Sequence, residues 1–302
     1  MKLVYYSLSR PSDRTYDSQW LQSIRSLRLH NHDLPVCLLV YNSVSDSILK
    51  EADRRNVMVY FLGNYRDCLE RLYPRGPMLT MYPTLHKFIS LSELDTSEAS
   101  QILYLDCDTF FFDDPVILFD NYASCDWYAR ESPASRRCPY GYDPSTINED
   151  TLQSIAGKEN LATIHPFNAG VCLMNHGVWR KFEGFYRTFL DNVWRLLVGR
   201  HQRKADGSDN EIRRAVLAET TQHDRERALP YPSNNFWIAE EIGLWLTLGR
   251  IPSLTQGFFS NRHVVQGFEC TDAVERGRHC VVGHYFTYAQ SEFFGSVNAL
   301  AA

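Results

Sequence analysis

Apolar and polar residues alternate along the N-terminal third of the chain in a way that predicts strands separated by helices. Short apolar runs at residues 3–8, 36–41 and 57–62 predict three strands, because such runs of apolar and β-branched residues are typical of buried strands. Residues 45–54 predict a helix. A preceding helix is predicted from apolar side chains at helical spacing, at Trp20, Leu21, Ile24 and Leu27. This βαβαβ order predicts a parallel sheet with right-handed crossovers.

The alternation continues towards the C-terminus. Residues 85–94 predict a helix with one apolar side, and they lead into the run 102–105, which is apolar on both faces as expected for a central strand. The remaining predicted elements are strands at 170–174, 264–265 and 280–282 and helices at 178–198, 211–219 and 237–248. The sequence contains no internal repeat and no linker-like segment. We therefore predict one α/β domain over residues 1–302, with a central, mostly parallel sheet flanked by helices.

Charge and composition argue against several classes of function. Lys and Arg number 31 against 36 Asp and Glu, a formal net charge of −5, so the basic excess used in nucleic-acid binding is missing and we expect no nucleic-acid partner. No apolar run approaches the roughly 20 residues of a membrane-spanning helix, so no transmembrane segment is expected. The eight cysteines include no Cys-x-x-Cys pair. This pattern favours reduced thiols and a cytoplasmic protein over a zinc site or a disulfide framework.

Two carboxylates follow the predicted central strand. Asp106 and Asp108 come directly after the run 102–105, and ligands of open α/β sheets bind beyond the carboxyl ends of the strands. One or two carboxylates that share a divalent cation with a diphosphate form the usual Mg²⁺ or Mn²⁺ arrangement. The sequence therefore predicts a cation site here. On its own, an Asp-x-Asp tripeptide is also compatible with a polar loop or a helix cap.

At these residues the chain resembles the GT-A glycosyltransferases, most closely family 8 and its relatives. Residues 3–9 resemble the opening strand whose end holds the nucleotide base, and residues 104–108 resemble the metal-binding Asp-x-Asp motif. Residues 166–175 are similar to the Phe-Asn-Ser-Gly-Val strand that lines the donor-sugar pocket. Lys87 matches a basic residue near the donor, and His284 is placed like the C-terminal histidine of the metal site. Together these segments span nearly the whole chain.

The resemblance implies a GT-A (Rossmann-like) fold and a metal-dependent hexosyltransferase. Such an enzyme moves a sugar from a nucleotide diphosphate sugar, here expected to be a UDP-sugar, to a hydroxyl of a glycan or another acceptor. Residues 1–115 would form the nucleotide-binding half and residues 116–302 the acceptor-binding half. Mn²⁺ or Mg²⁺ would be held by Asp106, Asp108 and His284. The donor would be bound by Tyr6, Ser7, Leu8, Lys87, Asn168, Ala169 and Gly170.

Taken singly, several of these residues also fit ordinary structural roles. Residues 168–170 could form a turn before a strand, because Asn and Gly are common turn residues. Lys87 could be a solvated charge on an amphipathic helix. His284 ends an apolar strand and could be a core histidine. The occurrence of all these segments in the expected order supports the functional interpretation.

The carboxylate that faces the sugar is expected at the start of a late helix. Glu240 and Glu241 are favoured as catalytic residues, because two adjacent acids on the apolar helix 237–248 cannot both point outward easily. Which of the two faces the sugar stays open. Asp209 is the alternative, although its charged surroundings favour a helix cap.

One departure from the family concerns the diphosphate. Family 8 enzymes follow the C-terminal histidine with Gly and Lys-Pro-Trp, and that lysine contacts the diphosphate, whereas His284 is followed by Tyr285 and Phe286. The phosphate charge would then be met by the metal together with Lys87, Arg10 or Arg14. Retention or inversion of configuration is therefore left open.

Two other functions compete with this prediction. A haloacid-dehalogenase-like phosphatase also has a strand that ends in Asp-x-Asp, but it expects Thr or Val two places after the second Asp, where this chain has Phe110. A non-catalytic module that binds a sugar nucleotide or a glycan would keep the same fold without turnover.

The acceptor is expected to bind against two long polar segments, 132–148 and 199–227, because compact domains rarely keep such segments without a function. The side chains that could contact it are Trp127, Arg136, Arg137, Tyr140 and Tyr142. A solvated loop is the alternative interpretation of these segments.

Overall fold

A computed structural model of the chain describes residues 1–9, 14–74, 79, 83–131, 153, 156–158, 160–161, 166–175, 177–178, 184–197, 239–251, 253–267, 270 and 279–285. The predictions for the segments 132–148 and 199–227 lie outside these residues, as do those for Arg10 and Asp209. Arg14 is the first residue of a described helix, but the structure describes only its backbone.

Ten strands lie within the described residues and form two sheets. They are β1 (Lys2–Leu8), β2 (Val36–Val40), β3 (Met58–Phe61), β4 (Gln101–Leu105), β5 (Thr109–Phe111), β6 (Trp127–Glu131), β7 (Phe167–Asn175), β8 (Gln256–Phe258), β9 (Val264–Gln266) and β10 (Val282–His284). The central sheet has the order β3-β2-β1-β4-β7-β6-β8. A smaller sheet has the order β5-β10-β9.

The strands β1 to β4 of the central sheet run parallel to one another, and β6 runs parallel to β8. β7 is antiparallel to both β4 and β6. In the smaller sheet, β10 is antiparallel to β5 and parallel to β9. The predicted α/β fold with a mostly parallel central sheet is therefore confirmed.

The described helices are α1 (Arg14–His30), α2 (Asp46–Arg54), α3 (Tyr65–Leu72), α4 (His86–Ile89), α5 (Val116–Asn121), α6 (Phe185–Leu197) and α7 (Ala239–Leu248). The helices pack on both faces of the central sheet, so the sheet separates two buried apolar layers. On one side, Trp20 and Ile24 of α1 pack with Ile48 of α2 against the sheet. On the other side, Phe88 of α4 and Trp245 of α7 are buried. None of the helices in the described ranges is long and apolar enough to cross a bilayer.

The predicted helix at 85–94 is wrong in its length. Only α4 is α-helical, and it is flanked by 3₁₀ turns at Pro83–Leu85 and Ser90–Ser92. The Ser90 hydroxyl donates to the Lys87 carbonyl at 3.0 Å, and the Ser92 hydroxyl donates to the Ile89 carbonyl at 2.6 Å. Serine hydroxyls that bond backbone carbonyls in this way compete with the helical hydrogen bonds. The apolar periodicity contains no signal for this competition.

The predicted helix 178–198 is interrupted, because Val178 is helical and α6 begins only at Phe185. Gly184, just before it, has a φ of +80°, which is incompatible with a right-handed helix.

The strand order reverses direction next to β1. The strands β2 and β3 extend the sheet to one side of β1, whereas β4 joins it on the other side. Such a reversal leaves a crevice beyond the carboxyl ends of the two central strands, where ligands of open α/β sheets bind. The end of β1 at Leu8 and the end of β4 at Leu105 therefore mark the candidate site.

Candidate active site

The acid pair lies in a short turn between β4 and β5 that is held on both sides. The Asp106 backbone N–H donates to the Gly170 carbonyl of β7 at 2.8 Å. The Asp108 carbonyl accepts from the Tyr285 backbone N–H at 2.8 Å. Tyr104, two residues before Asp106 on the same face of β4, donates its hydroxyl to Asp106 Oδ1. The turn therefore holds both carboxylates beyond the end of β4.

His284 reaches the acid pair because β10 pairs with β5, which places His284 opposite Thr109. Its Nε2 atom lies 3.2 Å from Asp108 Oδ1 and 3.5 Å from Asp106 Oδ2. The imidazole is buried against β7, and a Cβ atom at Gly170 would lie 2.1 Å from its Cε1 atom. A glycine at position 170 is therefore required for this placement of the ring.

Asp106, Asp108 and His284 each offer a ligand atom, and these atoms lie within 4.8 Å of one another. Neighbouring ligands around an octahedral ion with bonds of about 2.1 Å are about 3 Å apart. The two separations at His284 Nε2 are close to that value. Carboxylate oxygens with one imidazole suit Mn²⁺ and are compatible with Mg²⁺. The donor set thus fits the predicted cation.

Lys87 joins the acid pair to the start of α7. Its Nζ atom lies 3.0 Å from Asp106 Oδ2 and 2.8 Å from Glu240 Oε1. The Lys87 carbonyl accepts from the Tyr5 hydroxyl at 2.9 Å, which anchors the single turn of α4 to β1. The side chains of Lys87, Asp106 and Glu240 are all largely buried. The lysine is therefore held within an ion-pair network and is not a solvated charge.

Glu240 and Glu241 both point inward from the first turn of α7 and are buried. Glu241 Oε1 accepts from the Ala169 backbone N–H at 2.9 Å and from Asn168 Nδ2 at 3.3 Å. Asn168 Oδ1 in turn accepts from the Gly170 N–H at 3.0 Å. The residues predicted from the donor-pocket strand and the late helix are thus brought together.

Burial and charge shift the pKa values of these groups. Burial lowers the pKa of Lys87, but Asp106 and Glu240 outweigh burial and hold it above its ordinary value. Burial raises the pKa of Asp106, but Lys87 and His284 outweigh burial and hold it below its ordinary value. Burial also lowers the pKa of His284, yet Asp108 and Asp106 raise it to about 10.

The two glutamates respond differently to the same network. Burial raises the pKa of Glu240, and Lys87 partly offsets that effect. Burial raises the pKa of Glu241 to about 7, because Lys87 and the Ala169 N–H compensate only in part. Four carboxyl groups thus share one lysine and one histidine. A divalent cation would compensate the remaining negative charge.

A pocket opens beside the acid pair, between the ends of β1 and β4. It encloses about 630 Å³ including the part open to solvent. Its described lining consists of Ser7, Leu8, Ser9, Tyr16, Thr84, His86, Lys87, Tyr104, Asp106, Cys107 and Asp108. Sequence reasoning missed Tyr16, Thr84, His86 and Tyr104. Thr84 and His86 could have been found as neighbours of Lys87.

Tyr6 and Trp127 do not reach the pocket. Tyr6 alternates with Ser7 along β1, so its side chain points to the opposite face, where it is fully buried and its hydroxyl lies 2.8 Å from Ser23 Oγ. Trp127 is fully buried in the core beside Phe88 and Phe167. The expectation that Trp127 offers a surface for the acceptor is wrong, because its ring fills the core beneath the sheet.

Comparison with known proteins identifies the fold. No protein-family model matches this sequence, and no curated protein sequence matches it. Mouse xyloside xylosyltransferase 1 is similar over 96% of this chain and 99% of its own, at 11% sequence identity and a TM-score of 0.50. An active-site mutant of LgtC, a galactosyltransferase, is similar over 99% of this chain and 96% of its own, at 16% identity and a TM-score of 0.50.

The chain has the GT-A fold. At this level of sequence identity, the similarity concerns the architecture. The structural neighbours are glycosyltransferases. The haloacid-dehalogenase-like alternative required another fold and is not supported, because β4, which carries the acid pair, lies within the GT-A sheet and pairs antiparallel with β7.

Proposed function

We propose that this chain is a metal-dependent glycosyltransferase that transfers a sugar from a nucleotide diphosphate sugar, expected to be a UDP-sugar, to an acceptor hydroxyl. One observation carries this proposal. The Asp106 and Asp108 pair and the distant His284 meet beside a pocket at the switch point of a GT-A sheet. A binding module without catalysis would need neither the two buried glutamates nor the ion pair between Glu240 and Lys87.

In this proposal the nucleotide occupies the pocket at the end of β1. Ser7 and Leu8 lie at that end, and the Tyr16 side chain, 39% exposed, offers a flat apolar face to a base. The diphosphate would lie towards Asp106 and Asp108, and the sugar towards residues 168–170. Lys87 pairs with Asp106 and Glu240, so it organises the acids, and it also lines the pocket in which the donor would bind.

Asp106, Asp108 and His284 would hold the divalent ion, which would neutralise charge on the departing diphosphate. Glu241 is the proposed catalytic carboxylate. Its pKa of about 7 suits a group that exchanges a proton near neutral pH, and its Oε2 atom is buried without a hydrogen-bond partner among the described residues. It would act as base on the acceptor hydroxyl or stabilise a positively charged sugar. Glu240 is a positioning residue that acts through Lys87.

The metal assignment is tested by Asp108→Asn. We expect this substitution to weaken Mn²⁺-dependent UDP binding by at least about tenfold, because it removes one ligand charge. Isothermal calorimetry of UDP with and without Mn²⁺ measures the effect. Asp113→Asn is the matched control, because Asp113 follows β5 but lies outside the ligand cluster. UDP affinity equal to that of the wild type in Asp108→Asn would contradict the assignment.

The role of Glu241 is tested by a pair of substitutions. A glutamine at position 241 can still accept the Ala169 N–H but cannot exchange a proton. We expect Glu241→Gln to lower kcat about 100-fold with an unchanged donor Kd. Glu240→Gln should instead weaken donor binding, because it breaks the ion pair with Lys87. Steady-state kinetics and calorimetry separate the two effects. A Glu241→Gln variant with the kcat of the wild type would reduce Glu241 to a positioning role.

A further inference from the structure

A chain of buried hydroxyl groups runs from β1 through α1 to the acid pair. Tyr6 Oη lies 2.8 Å from Ser23 Oγ, and Ser23 Oγ lies 2.7 Å from Thr109 Oγ1. Thr109 Oγ1 donates to the Asp106 carbonyl at 2.9 Å. The three side chains are at most 1% exposed, so water does not replace these bonds.

The direction of the chain follows from counting protons. Each hydroxyl has one proton to donate. Thr109 donates its proton to the Asp106 carbonyl, so it accepts from Ser23. Ser23 then accepts from Tyr6. The three hydroxyls thus form one directed chain that ends on the backbone of a proposed metal ligand, and hydrogen bonds in such chains strengthen one another.

Thr109 also connects the acid pair to the third proposed ligand. Its side chain holds the Asp106 carbonyl, while its backbone pairs with His284 in the β5–β10 ladder. The next turn of α1 adds a second contact, because Ser26 Oγ accepts from the Phe111 N–H at 2.9 Å. Helix α1 therefore fixes the backbone of the segment that carries Asp106 and Asp108 and that pairs with the strand of His284.

We infer that Thr109 and Ser23, with Tyr6 at the end of the chain, are positioning residues that set the geometry of the metal site. This inference rests on the proposed function. It gives Tyr6 a role that does not require contact with the donor. The three residues act through the backbone of Asp106 and the strand that carries His284.

The test compares Thr109→Val with Thr109→Ser and with a matched control. Valine keeps the shape of threonine without the hydroxyl, and serine keeps the hydroxyl. Thr247→Val is the control, because Thr247 is equally buried, donates to the Gly243 carbonyl at 2.6 Å and accepts from Asn192 Nδ2 at 3.0 Å. The readouts are Mn²⁺ affinity by calorimetry at saturating UDP and the melting temperature without metal.

We expect Thr109→Val to lose at least about tenfold in Mn²⁺ affinity, as is typical when a group that orients a metal ligand is removed. Thr109→Ser should restore the affinity, and Thr247→Val should lower the melting temperature without weakening Mn²⁺ binding. Unchanged Mn²⁺ affinity in Thr109→Val would overturn the inference, as would an equal loss in Thr247→Val.

If Thr109→Val does not fold, Tyr6→Phe takes its place, because it removes only the first donor of the chain. Mn²⁺ affinity at least about twofold weaker in folded Tyr6→Phe would support the inference, and unchanged affinity would overturn it. A wild-type chain that binds no Mn²⁺ with UDP would instead contradict the proposed function itself, and the inference with it. The two failures are therefore distinguishable.

Discussion

Gly170 illustrates how one missing side chain shapes the candidate site. The sequence assigns it to the donor pocket by resemblance, and in the structure its lack of a Cβ atom makes room for the imidazole of His284. Its carbonyl also anchors the Asp106 N–H. Neither role is visible in the local sequence, because Asp106 lies in the turn after β4 and His284 lies on β10. The strand position of Gly170 was predictable, whereas its contacts were not.

Gly170→Ala should therefore damage the metal site. The added methyl group would overlap the His284 ring, which is packed and cannot move away without leaving the acid pair. We expect at least about tenfold weaker Mn²⁺ binding at saturating UDP, measured by calorimetry. Gly157→Ala is the control, because a Cβ atom there meets nothing within 4 Å. Wild-type affinity in Gly170→Ala would show that His284 is not a ligand.

At the scale of elements, a buried carboxylate joins two helices, α1 and α2, that pack on the same side of the sheet. Glu51 of α2 is 5% exposed, and its Oε1 atom accepts from Arg25 Nε at 2.8 Å and from Arg55 Nε at 3.1 Å. The hydrogen bond from Arg25 lowers the pKa of Glu51 to about 2; burial opposes this effect, and the bond from Arg55 adds to it. This contact links α1 to α2 and supports the helix that carries Ser23.

The stability contributed by Glu51 should depend on pH. Because its pKa is lower in the folded chain than in the unfolded chain, this stability is present above about pH 5 and is lost as the pH falls towards 2. We expect Glu51→Gln to remove about 1 to 2 kcal/mol of that pH dependence, a value reduced by the exposure of Arg25. Denaturant unfolding between pH 5 and 2.5 measures it, with the exposed Glu70→Gln as control. Parallel pH profiles for the wild type and Glu51→Gln would contradict this account.

At the scale of the whole molecule, the sequence predicts the parallel half of the sheet better than the rest. The strands β1, β2 and β4 are long, buried apolar runs, and their order fixes their pairing. The strands β5 and β8 were missed, because β5 follows β4 after a turn of only three residues and β8 has a single apolar side chain. The missed β6 ends in a polar Arg-Glu pair.

The residues of the candidate site also differ in how far the sequence could predict them. Asp106 and Asp108 were predictable because they follow a central strand, and His284 was predictable only by resemblance. Its approach depends on the pairing of β10 with β5, a contact between segments far apart in sequence. The ion pair between Lys87 and Glu240 joins two helices across the end of the sheet, and no local pattern encodes it.

The central claim is that the Asp106, Asp108 and His284 cluster makes this GT-A chain a metal-dependent enzyme acting on nucleotide sugars. The most direct measurement is the hydrolysis of a panel of nucleotide diphosphate sugars by the purified chain, with Mn²⁺ and with a chelator. The account predicts release of the nucleoside diphosphate from at least one donor, expected to be a UDP-sugar, with Mn²⁺ and its loss with the chelator or in Asp108→Asn. Turnover that is equal with Mn²⁺ and with the chelator, or no Mn²⁺-dependent binding or turnover of any donor, would contradict it.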